Sequence, residues 1–158
     1  MEGVRELLCT VDIDAPPAVV WDQLTALPAF REWNPFIREA GGQPVVGGTI
    51  RVRVAPSLGI PLVFHARVLE RDEGRKLRWR GHVLTDWLAS GEHVFTIEPL
   101  STGGVRFVQR EVFTGLLPRL AGALLEREAR RGFDAMNAAL KARAEDARSA
   151  SQRAACTP

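Results

Sequence analysis

His93, Gln109 and Glu111 are the residues whose types and spacing offer chemistry. They lie in two segments, Trp87 to Glu98 and Val105 to Thr114, that alternate apolar with polar residues as paired strands do. The stretch Pro99 to Gly104 between them has the composition of a turn. Successive side chains on a strand point to opposite faces, so parity puts all three residues on the face that also carries Phe95, Phe107 and Phe113. If Phe95 faces Phe107, His93 faces Gln109; if the register slips by one residue on each strand, His93 faces Glu111. Either pairing gathers the three groups. A histidine beside a carboxylate in apolar surroundings can store a proton and pass it on, which is what general acid–base catalysis needs. The same groups also fit a plainer role, in which they satisfy one another or a neighbouring helix and only shape the site.

Around this pair the chain must supply positioning elements. Arg5 to Ile13 alternates as a half-buried strand. Asp14 offers a capping carboxylate and Pro16-Pro17 suit a first helical turn, so a short helix is predicted over Pro16 to Ala26; a second short helix or turn ends at Asn34-Pro35. Six strand signals follow without an intervening helix: Ile37 to Ala40, Thr49 to Ala55, Leu62 to Glu70, Lys76 to His82, Trp87 to Glu98 and Val105 to Thr114. From Leu117 to Ala144 the apolar spacing becomes helical, through Leu120, Leu124, Phe133, Met136 and Leu140. Gly115, Pro118 and Gly122 weaken the start of that helix, and Glu145 to Pro158 is small, polar and unpatterned, so it is expected to be a flexible tail. The order is α+β, with a one-sided antiparallel sheet whose apolar face the last helix covers. Arg51, Arg53, Arg67, Arg78, Arg80, Arg106 and Arg110 mark the opposite, wet face.

Composition bounds what such a domain does. Its 158 residues, 46% hydrophobic and 25% charged, describe one domain with material for a core. A net charge of +2, from 21 Lys+Arg against 19 Asp+Glu, is too balanced for a protein built to hold nucleic acid. The chain has no apolar run of bilayer length and no leader pattern, so no stable membrane insertion and a cytoplasmic location are expected. Cys9 and Cys156, with three scattered histidines, offer neither a disulfide framework nor a metal site, and no cofactor is expected.

The sequence resembles the START-like, or SRPBCC, superfamily of helix-grip proteins, in its polyketide cyclase/dehydrase-like branch. The resemblance rests on IDAPPAVVWDQLT, on Trp33-Asn34-Pro35-Phe36-Ile37, on Leu77-Arg78-Trp79-Arg80-Gly81, on Gly91-Glu92-His93-Val94-Phe95, and on the closing run Phe133 to Lys141. It covers Val4 to about Ala144, so residues 1–144 are taken as a single domain of this type. It implies a seven-stranded antiparallel sheet curled around the long C-terminal helix, two short helices between strands one and two, and a deep apolar cavity between sheet and helix.

On that resemblance, Phe64, Trp79, Phe95, Phe107, Met136 and Leu140 would wall the cavity, and His93, Gln109 and Glu111 would orient its contents. Trp33 and Asn34 fall at its open end, where an indole can stack on a flat ligand; closing the core and capping a turn are their plainer roles. Trp87, Phe113, Leu120 and Leu124 belong to the same candidate lining. The helix start and the segment Pro56 to Pro61 frame an entrance, either as a gate or as ordinary structure. Asn137 fits the cavity floor or the helix surface. Three functions remain open: binding of a small hydrophobic, aromatic or polycyclic molecule; a cofactor-independent cyclase or dehydratase with His93 and Glu111 as the catalytic pair; and a protein-interaction module of the chaperone- or ribosome-associated kind. The partner is a small molecule in the first two, and a monomer or homodimer is expected.

Overall fold

In the computed structural model, which describes residues 5–57 and 59–155, strand β1 (Arg5–Ile13) buries Leu7, Cys9 and Ile13 and leaves the residues between them more open. Helix α1 (Pro17–Thr25) starts with Pro17 in its first turn, where a missing N–H does no harm, and buries Val20, Trp21 and Leu24. A 3-10 turn (Leu27–Ala29) and the short helix α2 (Phe30–Trp33) lead into β2 (Ile37–Gly42). Strands β3 (Thr49–Val54), β4 (Leu62–Asp72), β5 (Lys76–His82), β6 (Ser90–Pro99) and β7 (Val105–Thr114) then run as a meander. Helices α3 (Leu116–Leu120) and α4 (Gly122–Ala155) close the chain.

The strands form one antiparallel seven-stranded sheet in the order β1-β7-β6-β5-β4-β3-β2. It curls around α4, the helix-grip arrangement. Alternation sorts its faces as expected: Ile50, Val52, Ala66, Val68, Leu77, Trp79, Phe95, Ile97, Val105 and Phe107 are buried, whereas Arg51, Arg67, Arg80, Arg106 and Glu98 are exposed. Met136, Leu140 and Ala144 of α4 complete this core together with Trp21, Leu24 and Phe30. A smaller cluster of Leu7, Cys9, Ala129 and Phe133 seals α4 against β1.

Beyond shifts of one or two residues at strand ends, the structure differs from expectation at β6 and around the helices. Strand β6 starts at Ser90 and not at Trp87, because Val83 to Ala89 folds into a turn in which Leu84 has φ 64° and Leu88 N–H donates to the Thr85 carbonyl. The final helix is broken at Ala121, so α3 and α4 replace one helix from Leu117. Gly115 precedes α3: its φ of 112° favours glycine, and a Cβ there would press on the Leu88 carbonyl. Asp14 does not cap α1, whose N-cap is Pro16. Instead its carboxylate pairs with Arg148 and its N–H donates to Glu145 Oε1 at 2.8 Å. That clasp, with Lys141 Nζ donating to the Asp12 carbonyl, carries α4 past Ala144 to Ala155, 34 residues in all. The contacts are polar, so no apolar stripe announced them. Cys156 lies outside the described residues. No helix among the described residues is long and apolar enough to cross a membrane.

Candidate functional site

The pairing of β6 with β7 sets His93 opposite Glu111 and Phe95 opposite Gln109, the second of the two registers considered above. His93 Nδ1 lies 2.9 Å from Glu111 Oε2, and His93 Nε2 lies 3.1 Å from Gln109 Oε1. Gln109 Nε2 in turn donates to Asn137 Oδ1 on α4 at 2.5 Å and approaches the Phe133 carbonyl at 3.4 Å. The result is a continuous polar chain, Glu111–His93–Gln109–Asn137, from sheet to helix, and all four residues are buried. Asn137 therefore faces inward and not to the helix surface. Its position between Phe133, Met136 and Leu140 in the helical stripe was the signal that it would.

This geometry counts protons. The Phe133 carbonyl can only accept, so it holds the amide end of Gln109 and turns Oε1 toward the imidazole. His93 Nε2 must then carry hydrogen. The gap between Nδ1 and Glu111 holds a second proton, placed on the imidazole or on the carboxyl, and the pair as a whole is neutral in either case. Glu111 keeps its other oxygen, Oε1, without a protein donor among the described residues. Gly91 stands beside that oxygen, where any Cβ would overlap it, so glycine is what leaves room for the carboxylate.

Aromatic rings surround the chain. The imidazole stacks on Phe95 at 4.0 Å, and Phe133 and Trp79 lie 4.8 and 5.7 Å from it. Trp79 meets Phe95 edge-on at 4.7 Å, and Phe107 lies parallel to Phe95 at 6.1 Å. These buried rings, with Met136 and Leu140, fill the inner end of the concave face. Burial then falls toward the other end. On the inner side of β4, Val68 and Ala66 are buried, Phe64 is half-buried and Leu62 is 39% exposed. Val54 and Phe113, at the same end of their strands, are half-buried.

That open end is the mouth. Trp87 (68% exposed), Leu120 (76% exposed), Leu124, Leu84 and Ile60 project around it without packing partners in the core. Backbone bonds from Leu116 N–H to the Trp87 carbonyl and from Leu117 N–H to the Leu88 carbonyl tie α3 to the turn before β6. On the opposite rim the Ser57 hydroxyl donates to Glu128 of α4, and Arg131 lies 3.3 Å from the other carboxylate oxygen. The Ser57 hydrogen bond, helped by Arg131, holds the Glu128 carboxyl below its ordinary range. A depression of about 350 Å³ opens there, floored by Phe36 and Gly132. Phe36 packs edge-on against Phe133, so two rings, Phe36 and Phe133, separate that depression from His93. The Ser57–Glu128 contact has no sequence signal, since it joins a loop to a helix far along the chain.

Trp33 and Asn34 take the plainer roles. Trp33 packs edge-on against Phe30 at 5.1 Å, and Asn34, wholly buried, accepts hydrogen bonds from the N–H groups of Phe36 (3.0 Å) and Ile37 (2.8 Å). The structure thus brings His93, Gln109, Glu111, Trp79, Phe95, Phe107, Met136 and Leu140 together. Phe64 and Phe113 stand on the way to the mouth, and Trp87, Leu120 and Leu124 form its rim. Among the described residues no group of His, Cys, Asp and Glu is arranged to hold a metal ion.

The sequence model of the family described as "Polyketide cyclase / dehydrase and lipid transport" matches residues 9–145. No curated protein matches. Solved structures share the fold. The Zhui aromatase/cyclase from Streptomyces sp. R1128 superposes with a TM-score of 0.76 at 19% identity, over 90% of this chain and 94% of that one. A START superfamily protein from Mycobacterium smegmatis gives 0.72 at 20% identity, over 89% and 97%. The di-domain ARO/CYC StfQ from the steffimycin biosynthetic pathway gives 0.75 at 15% identity, over 90% of this chain and 52% of that one.

Proposed function

Because the chain belongs to the polyketide cyclase/dehydrase and lipid transport family, within the START-like superfamily, we propose that it binds a small hydrophobic molecule, aromatic or polycyclic, between the mouth half of the sheet and α4. The observation that carries this reading is the gradient along β4, from buried Val68 and Ala66 through half-buried Phe64 to exposed Leu62 on one face of one strand. An apolar face that loses its cover by degrees gains about 25 cal/mol for each Å² that a ligand removes from water. A flat molecule laid on Phe64 and Phe113 meets, at its inner end, the free Oε1 of Glu111 and the edge of the His93 ring. Apolar burial supplies affinity, and the polar chain supplies orientation.

The test is fluorescence titration with 1-anilinonaphthalene-8-sulfonate, together with native mass spectrometry of protein purified from its own host. The folded protein is expected to enhance the dye's emission, a flat lipophile to displace it, and Phe64→Ala to weaken it severalfold. An untouched dye signal in Phe64→Ala would remove this surface from the reading.

The single proton held between His93 and Glu111 favours a second reading, a cyclase or dehydratase on the same surface. The Glu111–His93 pair in its carboxylate form takes a proton from the carbon next to a carbonyl. In a cyclase the carbanion attacks a second carbonyl of the same chain and the pair returns its proton to the alkoxide; in a dehydratase the carbanion forms the double bond as a β-hydroxyl leaves with that proton as water. Glu111→Gln separates the readings: a modest loss of affinity belongs to a binder, and a loss of single-turnover rate on the order of a hundredfold with binding retained belongs to an enzyme.

A further inference from the structure

The arginines on the outer face of the sheet differ in how they are matched. On β7 and β5, Arg106 pairs with Asp12 (2.8 Å), Arg110 with Glu6 (2.9 Å), and Arg78 with Glu92 (3.4 Å) and Glu70 (3.5 Å), while Arg80 reaches the Ser90 hydroxyl at 3.4 Å. Around β2 and β3 carboxylates are fewer than arginines. There a groove of about 800 Å³ runs between the α2 end of the chain and the outer side of the strands, the larger of the two depressions described. Arg31 of α2 and Arg38 of β2 line it, with Arg51 and Arg53 of β3 across from them. One carboxylate, Glu39, sits between Arg51 (3.3 Å) and Arg53 (3.0 Å). Arg31 and Arg38 have no acidic partner among the described residues.

Local structure builds this imbalance. β2 has an irregularity between Ile37 and Glu39, so Arg38 falls outside the regular pairing of β2 with β3. Arg51 and Arg53 are two residues apart on one strand and so share a face. Gly41 and Gly42 give the groove a floor without side chains. Four guanidiniums against one carboxylate leave three positive charges without a counter-charge.

We infer that this groove binds a small organic phosphate, a molecule of about nucleotide size that carries a diphosphate or two phosphate groups. Guanidinium forks match phosphate oxygens two at a time, and Glu39 already occupies Arg51 and Arg53 as such an anion would. The uncompensated charge calls for a ligand with more than one negative charge. The volume is that of a small-molecule site. This site lies on the face of the sheet opposite the hydrophobic surface and stands or falls independently of it.

The experiment is calorimetric titration of the full chain with inorganic pyrophosphate at low ionic strength, on the natural sequence and on Arg31→Gln, Arg38→Gln and Arg106→Gln. Saturable binding is expected, weakened about tenfold or more by Arg31→Gln and by Arg38→Gln, unchanged by Arg106→Gln, and reduced by added salt. All three variants alter exposed side chains, and unchanged thermal melting checks that they fold. No saturable binding, or equal weakening by Arg106→Gln, overturns the proposal. Co-sedimentation with phosphatidylcholine vesicles containing phosphatidic acid, in the absence of pyrophosphate binding, overturns it in favour of a lipid headgroup surface.

Discussion

The two ends of the concave face are built from the same residue types and differ in what lies over them. At the inner end Trp79, Phe95 and Phe107 meet Met136 and Leu140 and are sealed. At the mouth Phe64, Phe113 and Leu62 look out on α3 and the first turns of α4, where Leu120 and Leu124 turn to solvent. Alternation along a strand decides which side chains point inward, and only the covering helix decides whether pointing inward means burial. The polar chain from Glu111 to Asn137 marks the border between the two ends.

Substitutions break that comparison in order of burial. The largest effect is expected at the inner end, where Phe95→Ala removes a fully buried ring and costs about 3–5 kcal/mol in urea unfolding. A loss under about 1 kcal/mol would mean that this end is as open as the mouth. At the border, Glu111→Leu strips His93 Nδ1 of its partner and costs about 1–3 kcal/mol, while Glu111→Gln still offers a donor and keeps most of that stability. Equal losses from the two would show that the hydrogen bond contributes nothing. Phe64→Ala, half-buried, is expected to cost about 1–2 kcal/mol while weakening dye binding, a combination that Phe95→Ala does not give.

On the rim, Glu128 titrates below the ordinary carboxylate range in the folded chain because it accepts the Ser57 hydroxyl. The stability from that contact is therefore complete above the unfolded carboxylate's pKa and disappears as pH falls through the lower folded value. Protection from hydrogen exchange across the loop between β3 and β4, taken against the intrinsic rate at each pH, is expected to fall over that acid window and, in Glu128→Gln, to be low already at neutral pH. The smallest effect belongs to Trp87→Ala, within about 0.5 kcal/mol of the natural protein. Its tryptophan emission, isolated in a variant that lacks the other three indoles, is expected to be solvent-like until a lipophile is added.

Much of this comparison was legible in the residues. Lys76–His82 and Val105–Thr114 emerge with the bounds that alternation predicts, and His93, Gln109 and Glu111 cluster in either register because parity survives a slip on both strands. Trp87 and Leu88 extended the sixth strand on paper because they are apolar, but the turn at Leu84 turns them away. Asn34 fits both a ligand contact and a turn cap in the sequence, and its side chain accepts the N–H groups of Phe36 and Ile37, the geometry of a cap that the following Pro35 also signals. The end of α4 was hidden for a different reason: Asp14, Glu145 and Arg148 hold it through charge and backbone groups, which leave no period in hydropathy. The mouth was illegible for a third reason, since the break between α3 and α4 falls at Ala121, which no period in hydropathy marks.

The pairing of β1 with β7 has a consequence for how the chain is made. Arg5 to Ile13 leave the ribosome before the other strands of the sheet, and their partners, Val105 to Phe113, are added only after β2 to β6. Until then the nascent sheet can grow from β2 to β6 while the first strand, carrying Leu7, Cys9, Val11 and Ile13, waits with its backbone unpaired. Arg106 and Arg110 arrive to meet Asp12 and Glu6 on that strand, so electrostatic attraction helps set the register of the closing step. Synthesis pauses placed after Thr114 would allow the sheet to close before α4 is complete; pauses placed before Val105 would prolong the exposure of an edge prone to aggregate.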